Sequence, residues 1–440
     1  MKDTGGIRDP TILFFEASDQ PLRREIGRRK KTHELIKHTQ LFRLTACRQP
    51  LNPKKQGAPE FGSGTTCLAC DEMGTPSYGI EAHPFVYRVA QAKLSYATDP
   101  ERLISKAENA FAFARKAKAN TEHYPEIIGK CYGVETLDYL DRFRQAVEIE
   151  QDGSPEAGLL WMALVSSLRI VSEAGTAPWQ YVLPGRRKTV PPLPEVALHK
   201  AVQMIAADIR FMACRAKPLA KLRVDDARKC ATVPDAWATL VITSPPYANN
   251  YDYADATRLE MAFLGEIRGW GDLQETVRRH LVRACSQHAP PKSVNLDKVL
   301  AEPLLAPIRD EIVSVCRELS SVRLERGGKK TYNNMIACYF LDMAQTWTAL
   351  RRVCASPSEV CFVIGDSAPY GVYVPVVEST AGFGVDRDRR HSRRRSGRGI
   401  ERILALLGSE RNDGDYSSLG LRAFWEACRS VERSEGHRMD

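Results

Sequence analysis

The sequence predicts an α/β fold in which a parallel sheet carries a large helical insertion. An apolar run, Leu240-Val241-Ile242-Thr243, stops abruptly at Ser244-Pro245-Pro246-Tyr247, and a second, Val360 to Ile364, stops at Gly365-Asp366. From Phe61 onward, a glycine turn, a helix, a short strand and another helix follow one another. Strands alternating with helices imply parallel neighbours, because a parallel return needs a long crossover.

The 440 residues allow one large domain with insertions or two to three smaller ones, and a hydrophobic content of 43% supports a real core. Net charge is +9, from 63 basic and 54 acidic residues, and much of the excess is clustered. Arg23, Arg24, Arg28, Arg29, Lys30 and Lys31 form one cluster, and eight arginines lie between Asp386 and Arg402. Such clusters fit a polyanion partner or a solvated tail. The twelve cysteines lack disulfide-scaffold spacing, and Cys67-Leu68-Ala69-Cys70 has no second pair at zinc-ligand spacing. They read as reduced, mostly buried thiols. Met1 to Pro10 is charged and turn-rich, unlike a signal peptide, and the most apolar window, Ala157 to Val171, is interrupted by Ser166, Ser167 and Arg169. A cytoplasmic protein with no membrane partner is expected.

In chain order, residues 1–58 are basic and weakly periodic, and no element is assigned there. Gly62-Ser63-Gly64-Thr65-Thr66 leads into a helix ending near Gly74, then a strand Tyr78 to Glu81 and a helix Pro84 to Leu94. Residues 98–220 read as mainly helical. Ser154-Pro155-Glu156 is a helix start with an N-cap and a first-turn proline, and Gly175 is the expected stop. Leu198, Val202, Ile205, Ile209 and Met212 keep helical spacing, which predicts one buried stripe. Leu183 to Pro194 reads as a proline-rich basic loop containing Arg186, Arg187 and Lys188. The sheet resumes at Leu222 to Asp226 and Ala238 to Thr243, a helical stretch covers about 256–353, and Val360 to Ile364 is a further strand. After Val377 apolar periodicity is lost, with short helices expected near Ile400 to Leu407 and Leu421 to Val431.

Four features carry chemistry. At the glycine turn, Phe61, Gly62, Gly64 and Thr65 let backbone approach a ligand, and the following helix start offers free N–H groups to a carboxylate. Glu81, seventeen residues after Gly64, ends the next strand where a carboxylate accepts both hydroxyls of a ribose. Asp226, with Asp225 as competitor, ends the third strand and suits an adenine amino group. Eighteen residues further on comes Ser244-Pro245-Pro246-Tyr247. Proline has no ladder N–H and restricts the residue before it, so this turn presents carbonyls and a flat ring at a strand's end.

In this order the features resemble the amino-group DNA methyltransferases, which methylate N4 of cytosine or N6 of adenine. Phe61 to Thr66 is similar to their cofactor glycine motif, Gly79 to Phe85 to the ribose-binding segment and Asp226-Ala227-Arg228 to the third-strand motif. Thr243 to Tyr247 is similar to the catalytic motif, and Asn249 to Glu260 to an extension found in a subgroup. The resemblance covers roughly 60–96 and 222–376. It implies a Rossmann-like AdoMet methyltransferase sheet with helical insertions, S-adenosyl-L-methionine as cofactor, DNA as partner, no metal, and a restriction-modification context with cognate restriction or defence proteins. The implied layout is a basic N-terminal segment at 1–58, a methyltransferase domain at 59–97 and 221–377, a mainly helical insertion at 98–220, and an arginine-rich tail at 378–440.

Ser244, Pro245, Pro246 and Tyr247 are the implied catalytic residues. Tyr247 would stack on an extruded base, while Ser244 and the Pro245 carbonyl accept hydrogen bonds from its amino group, so no cysteine nucleophile is required. In the family, serine at the first catalytic position leans toward cytosine N4 and aspartate toward adenine N6. Asp366, Tyr251, Asp252 and Arg258 are candidates for lining the pocket or for structural caps. Arg186, Arg187 and Lys188, or Arg326, Lys329 and Lys330, are candidate phosphate contacts.

Two stretches depart from the family pattern. Asn52 to Glu60 cannot be the buried strand expected before the glycine turn, and the tail after Val377 lacks the expected final strand and hairpin. Both features read as degenerate, consistent with frameshifted or decayed coding sequence. Besides cytosine N4, adenine N6 or RNA base methylation and a degenerate DNA-binding relative without activity stay open.

Overall fold

Apolar, β-branched runs supply the middle of one mixed sheet, as their pleated spacing dictates. The computed structural model describes residues 11–16, 44–47, 64–176, 182–187, 190–214, 216, 218–328, 330–384 and 392–394. Its strands are β1 (Thr11–Glu16), β2 (Leu44–Cys47), β3 (Ser77–Glu81), β4 (Ala174–Thr176), β5 (Val182–Arg187), β6 (Lys221–Val224), β7 (Ala238–Thr243), β8 (Cys354–Ile364) and β9 (Ser392–Arg394). Seven of them form the sheet in the order β6-β3-β2-β7-β8-β1-β9. All neighbours pair in parallel except β2, which runs antiparallel to both β3 and β7. β3 and β6 extend the sheet on one side of β2, and β7 and β8 extend it on the other. Where connections diverge in this way, a crevice opens beyond the carboxyl ends of the strands.

The helices are α1 (Thr65–Glu72), α2 (Pro84–Lys93), α3 (Pro100–Lys116), α4 (Glu126–Cys131), α5 (Val134–Ile149), α6 (Pro155–Val171), α7 (Pro194–Ala213), α8 (Tyr253–Ala256), α9 (Arg258–Phe263), α10 (Asp272–Thr276), α11 (Leu296–Ala301), α12 (Arg309–Glu325), α13 (Tyr332–Val353) and α14 (Val376–Gly384). Their starts follow local chemistry. The Asp99 side chain caps α3 by accepting from the Glu101 N–H, and Ser154 caps α6 by accepting from Ala157, each followed by proline at the first turn.

Apolar side chains collect in two main cores. One lies under the sheet, where Tyr339, Phe340 and Trp347 of α13 meet Val241, Val360 and Phe362. Trp347 stacks on Phe362 at 4.8 Å. The other is helical, with Leu103, Phe111, Phe143, Trp161, Leu198 and Ile205 in its interior. Between Tyr251 and Leu281, which follow the Ser-Pro-Pro-Tyr turn, apolar side chains such as Tyr253, Leu259, Phe263, Leu273 and Val277 are buried in this helical core. Inside it, Arg169 of α6 makes a fork-like ion pair with Glu260 of α9, its second nitrogen 3.0 Å from Oε2, and also reaches the Ala256 carbonyl. Both charges are almost fully removed from water.

Several expectations need correction. Residues 1–58 were assigned no element, yet β1 and β2 lie there, and β2 sits in the sheet's interior. Four residues, Leu-Thr-Ala-Cys, are too short to register as an apolar run, and β1 pairs with β8, far from its sequence neighbours. The loop read at 183–194 contains β5, which pairs with β4 as a hairpin, and Gly175 lies in β4 rather than ending α6. β8 begins six residues earlier than expected, and its ladder to β7 shifts register between Ala238 and Leu240, which pair with Cys354 and Glu359. The basic cluster at 23–31 and the expected helices at 400–407 and 421–431 lie outside the described residues, as does nearly all of the arginine-rich stretch.

Removing one member of a buried ion pair strands the other charge, typically at about 3–5 kcal/mol. Glu260→Ala should therefore lower unfolding free energy by about that amount, and the double substitution Arg169→Met with Glu260→Leu should restore most of it. Urea denaturation measures both. A double variant as unstable as Glu260→Ala would contradict this account.

Candidate active site

Sheet register brings the predicted residues to one edge. Thr45 of β2 pairs with Gly79 on one side and with Ile242 on the other. Two residues further along these parallel strands, Glu81 and Ser244 stand level, two strand spacings or roughly 10 Å apart. Glu81 pairs with Val224, so Asp225 and Asp226 lie just past β6 on the same edge. Thr243 pairs with Phe362, which puts Asp366 just past the end of β8 there as well.

Gly64 begins α1 with φ +87°, a left-handed conformation that costs other residues about 1–2 kcal/mol. A Cβ at this position would lie 3.2 Å from that of Ala90, so α1 and α2 approach here only over a glycine. Thr65 opens the helix, and its hydroxyl lies 3.5 Å from Lys93 Nζ. Phe61 and Gly62 lie outside the described residues. Glu81 is buried, and its carboxylate accepts the His83 N–H at 2.9 Å, which fixes the rotamer. The His83 ring is in turn 2.9 Å from the Thr257 hydroxyl, tying this segment to the one after the Ser-Pro-Pro-Tyr turn.

The two aspartates after β6 separate clearly. Asp225 spends its carboxylate on its own loop, accepting from the Asp226 N–H and from the N–H and hydroxyl of Thr232, each at 2.7 Å. Asp226 is partly exposed and gripped by Arg228, whose nitrogens lie 2.8–3.1 Å from its oxygens. Arg228 also lies 3.4 Å from Asp342, a fully buried residue of α13 that binds Arg283 through both nitrogens. A four-residue charge chain thus aims Asp226 at the edge.

Within the turn, Ser244, Pro245 and Pro246 are buried and Tyr247 is half-buried. The Asn249 N–H donates to the Tyr247 carbonyl at 2.7 Å, and Asn250 adopts φ +66°. That turn lets the Asn250 side chain accept from the N–H and hydroxyl of Ser286 at 2.9 and 2.6 Å. Asp252 caps α8 and is buried, with one oxygen 3.2 Å from His288 Nε2 and the other 2.7 Å from Arg278. Burial alone would raise its pKa, but His288 and Arg278 outweigh this and hold it at about 2. Asp252, Cys285 and His288 bring ligand atoms within 4.8 Å of one another. Arg278, bonded twice to the Asp252 carboxylate, already supplies the positive charge a cation would bring. Asp255 is raised to about 6 by burial, against the pull of Arg258, whose Nε is 3.0 Å away but out of line for a hydrogen bond.

Asp366 has a structural partner set, accepting from the Tyr373 hydroxyl at 2.6 Å and from the Val377 N–H at the start of α14 at 2.9 Å. Tyr251 packs edge-on against Tyr253 inside the helical core. Arg326 and Lys330 are exposed, while Lys188, Lys329 and the side chains of Arg186 and Arg187 lie outside the described residues. Sequence reasoning missed Arg278, Arg283, His288 and Asp342, and quoted Arg228 in the third-strand motif without giving it a role. Only the spacing of Arg228 two residues after Asp226 carried a local signal.

Among characterised proteins, the chain is similar to the type II methyltransferase M.BsoBI of Geobacillus stearothermophilus, 24% identical over 357 residues, covering 72% of this chain and 69% of that protein. No family profile matches the chain, and no solved structure matches it. No described helix is long and apolar enough to cross a membrane.

Because the folded-state pKa of Asp252 lies below its ordinary value of about 4, its stabilisation is complete above that pH and is lost as pH falls toward about 2. The stability gap between wild type and Asp252→Asn should therefore narrow as denaturation curves are taken from about pH 5 to about pH 3. A gap that stays constant would show that the Asp252 pKa is the same in the folded and unfolded chain.

Proposed function

We propose that this chain is a site-specific DNA methyltransferase that moves a methyl group from S-adenosyl-L-methionine to an exocyclic amino group, cytosine N4 in particular. The observation that carries the reading is the register that sets the Ser-Pro-Pro-Tyr turn level with Glu81 across the sheet. The similarity to a type II methyltransferase over most of both chains supports it.

The residues fit the cofactor. Gly64 opens α1 in a left-handed conformation, and the N-terminus of this helix suits the cofactor's carboxylate. Glu81 would take the ribose hydroxyls, and Asp226, held by Arg228, the adenine amino group. S-adenosyl-L-methionine supplies an electrophilic methyl group when bound. The chain's own part is orientation: the Ser244 hydroxyl and Pro245 carbonyl accept the target amino hydrogens and turn its lone pair toward the methyl, while Tyr247 stacks on the extruded base. Serine in place of aspartate at the first catalytic position favours cytosine. A second reading, a DNA-binding relative without transfer, draws on the short antiparallel β2, since the strand ahead of the glycine turn runs against its neighbours.

Incubation with labelled S-adenosyl-L-methionine and DNA, followed by nucleoside mass spectrometry, separates these outcomes. N4-methylcytosine is expected; N6-methyladenine or methylated RNA reassigns the target, and DNA binding without transfer favours the second reading. Tyr247→Ala should cut turnover by about 100-fold or more, since stacking sets the reacting geometry, while calorimetric cofactor affinity is retained. Glu81→Gln should do the opposite first, weakening cofactor binding about tenfold as one charge-assisted bond is lost. Unchanged cofactor affinity in Glu81→Gln would remove Glu81 from the ribose role.

A further inference from the structure

An exposed tryptophan lies in the segment that follows the Ser-Pro-Pro-Tyr turn. Trp270 is 42% exposed, the only tryptophan among the large, exposed hydrophobic side chains of the described residues. It sits between Gly269 and Gly271, whose absent side chains would meet nothing within 4 Å, so the loop tip is open on both sides. Yet the loop is fixed: one Asp272 oxygen accepts the N–H groups of Arg268 and Gly269 at 2.7 and 3.1 Å. Two guanidinium groups lie over the ring, Arg278 at 4.5 Å and Arg258 at 5.1 Å from its centroid.

The surroundings connect this loop to both halves of the site. Arg278 is the residue that grips Asp252, five residues past Tyr247. The next two carbonyls, of Arg279 and His280, lie 3.4 Å from Arg228, the partner of Asp226. The segment therefore spans the edge between the turn's continuation and Asp226, and Arg268 and Arg279 are exposed on it. An exposed aromatic ring among arginines matches what a nucleic acid requires: a ring for base stacking and cations for phosphates.

Resting on the methyltransferase reading, we infer that Trp270 contacts the base stack of duplex DNA beside the extruded target, with Arg268 and Arg279 on the flanking phosphates. The competing role, a ring that only shields Arg278 from water, would affect folding but not DNA.

The test compares full-length wild type, Trp270→Ala, Trp270→Phe and Arg268→Gln, using filter binding of labelled mixed-sequence duplex DNA, methyl transfer on the same DNA, and thermal melting. Trp270→Ala should weaken DNA binding about 5- to 100-fold, the range for loss of one stacking aromatic, and Trp270→Phe should restore most of it. Arg268→Gln should lower the salt slope of log affinity by about 0.9, one phosphate contact. If wild type transfers methyl groups and Trp270→Ala binds DNA as well as wild type, the inference falls alone, and a lowered melting temperature then assigns the ring to shielding Arg278. If wild type neither binds nor methylates DNA, the inference falls with the reading beneath it. A preference for RNA over DNA in wild type likewise overturns it.

Discussion

A carboxylate that gives up water on burial must recover its solvation from the protein, and Asp252 does so from three directions. It accepts the first N–H groups of α8, a fork from Arg278 and an imidazole N–H from His288. Each partner brings a different stretch of chain: the segment leaving the Ser-Pro-Pro-Tyr turn, the segment that follows Trp270, and the 3-10 turn Ser286–His288 that Asn250 also holds. Without this centre, three irregular segments would have to be ordered by apolar contact alone, which is non-directional. The charge chain through Asp342 plays the same part for Asp226. Polar groups thus set direction at the edge while the two cores supply mass.

Much of the edge was legible in the sequence. β7 keeps the limits read from Ala238 to Thr243, because a β-branched run that ends in two prolines has sharp chemical boundaries. α1, β3 and α2 fall within a residue or two of their expected limits for similar reasons. The choice between Asp225 and Asp226 was not legible, since it turns on Thr232 and Arg228 closing on different carboxylates. Nor was the Asp252 centre, whose partners are 26 and 36 residues away. β1 and β2 escaped because one is recruited from the chain's start to the sheet's far side and the other is too short to show periodicity.

The sheet carries one further constraint. With β2 antiparallel, its carboxyl end, Cys47, lies at the edge opposite Glu81 and Ser244, where it pairs with Ser77 and Leu240. Gly64, in contrast, is positioned by α1 and α2 packing against each other, through the close approach at Ala90.

The ion pair between Arg169 and Glu260 joins residues 91 positions apart. Its consequence concerns the order of assembly. Until α9 arrives, Arg169 has no carboxylate to meet, and a guanidinium cannot be sealed dry without one. Closing that contact means ordering the chain through the Ser-Pro-Pro-Tyr turn and beyond, a long loop whose closure entropy must be met. A fragment cut from 98 to 220 would keep its apolar stripes but not its charge balance. What looks in the sequence like a module slipped between two strands is, in the folded chain, finished by the segment that follows the turn.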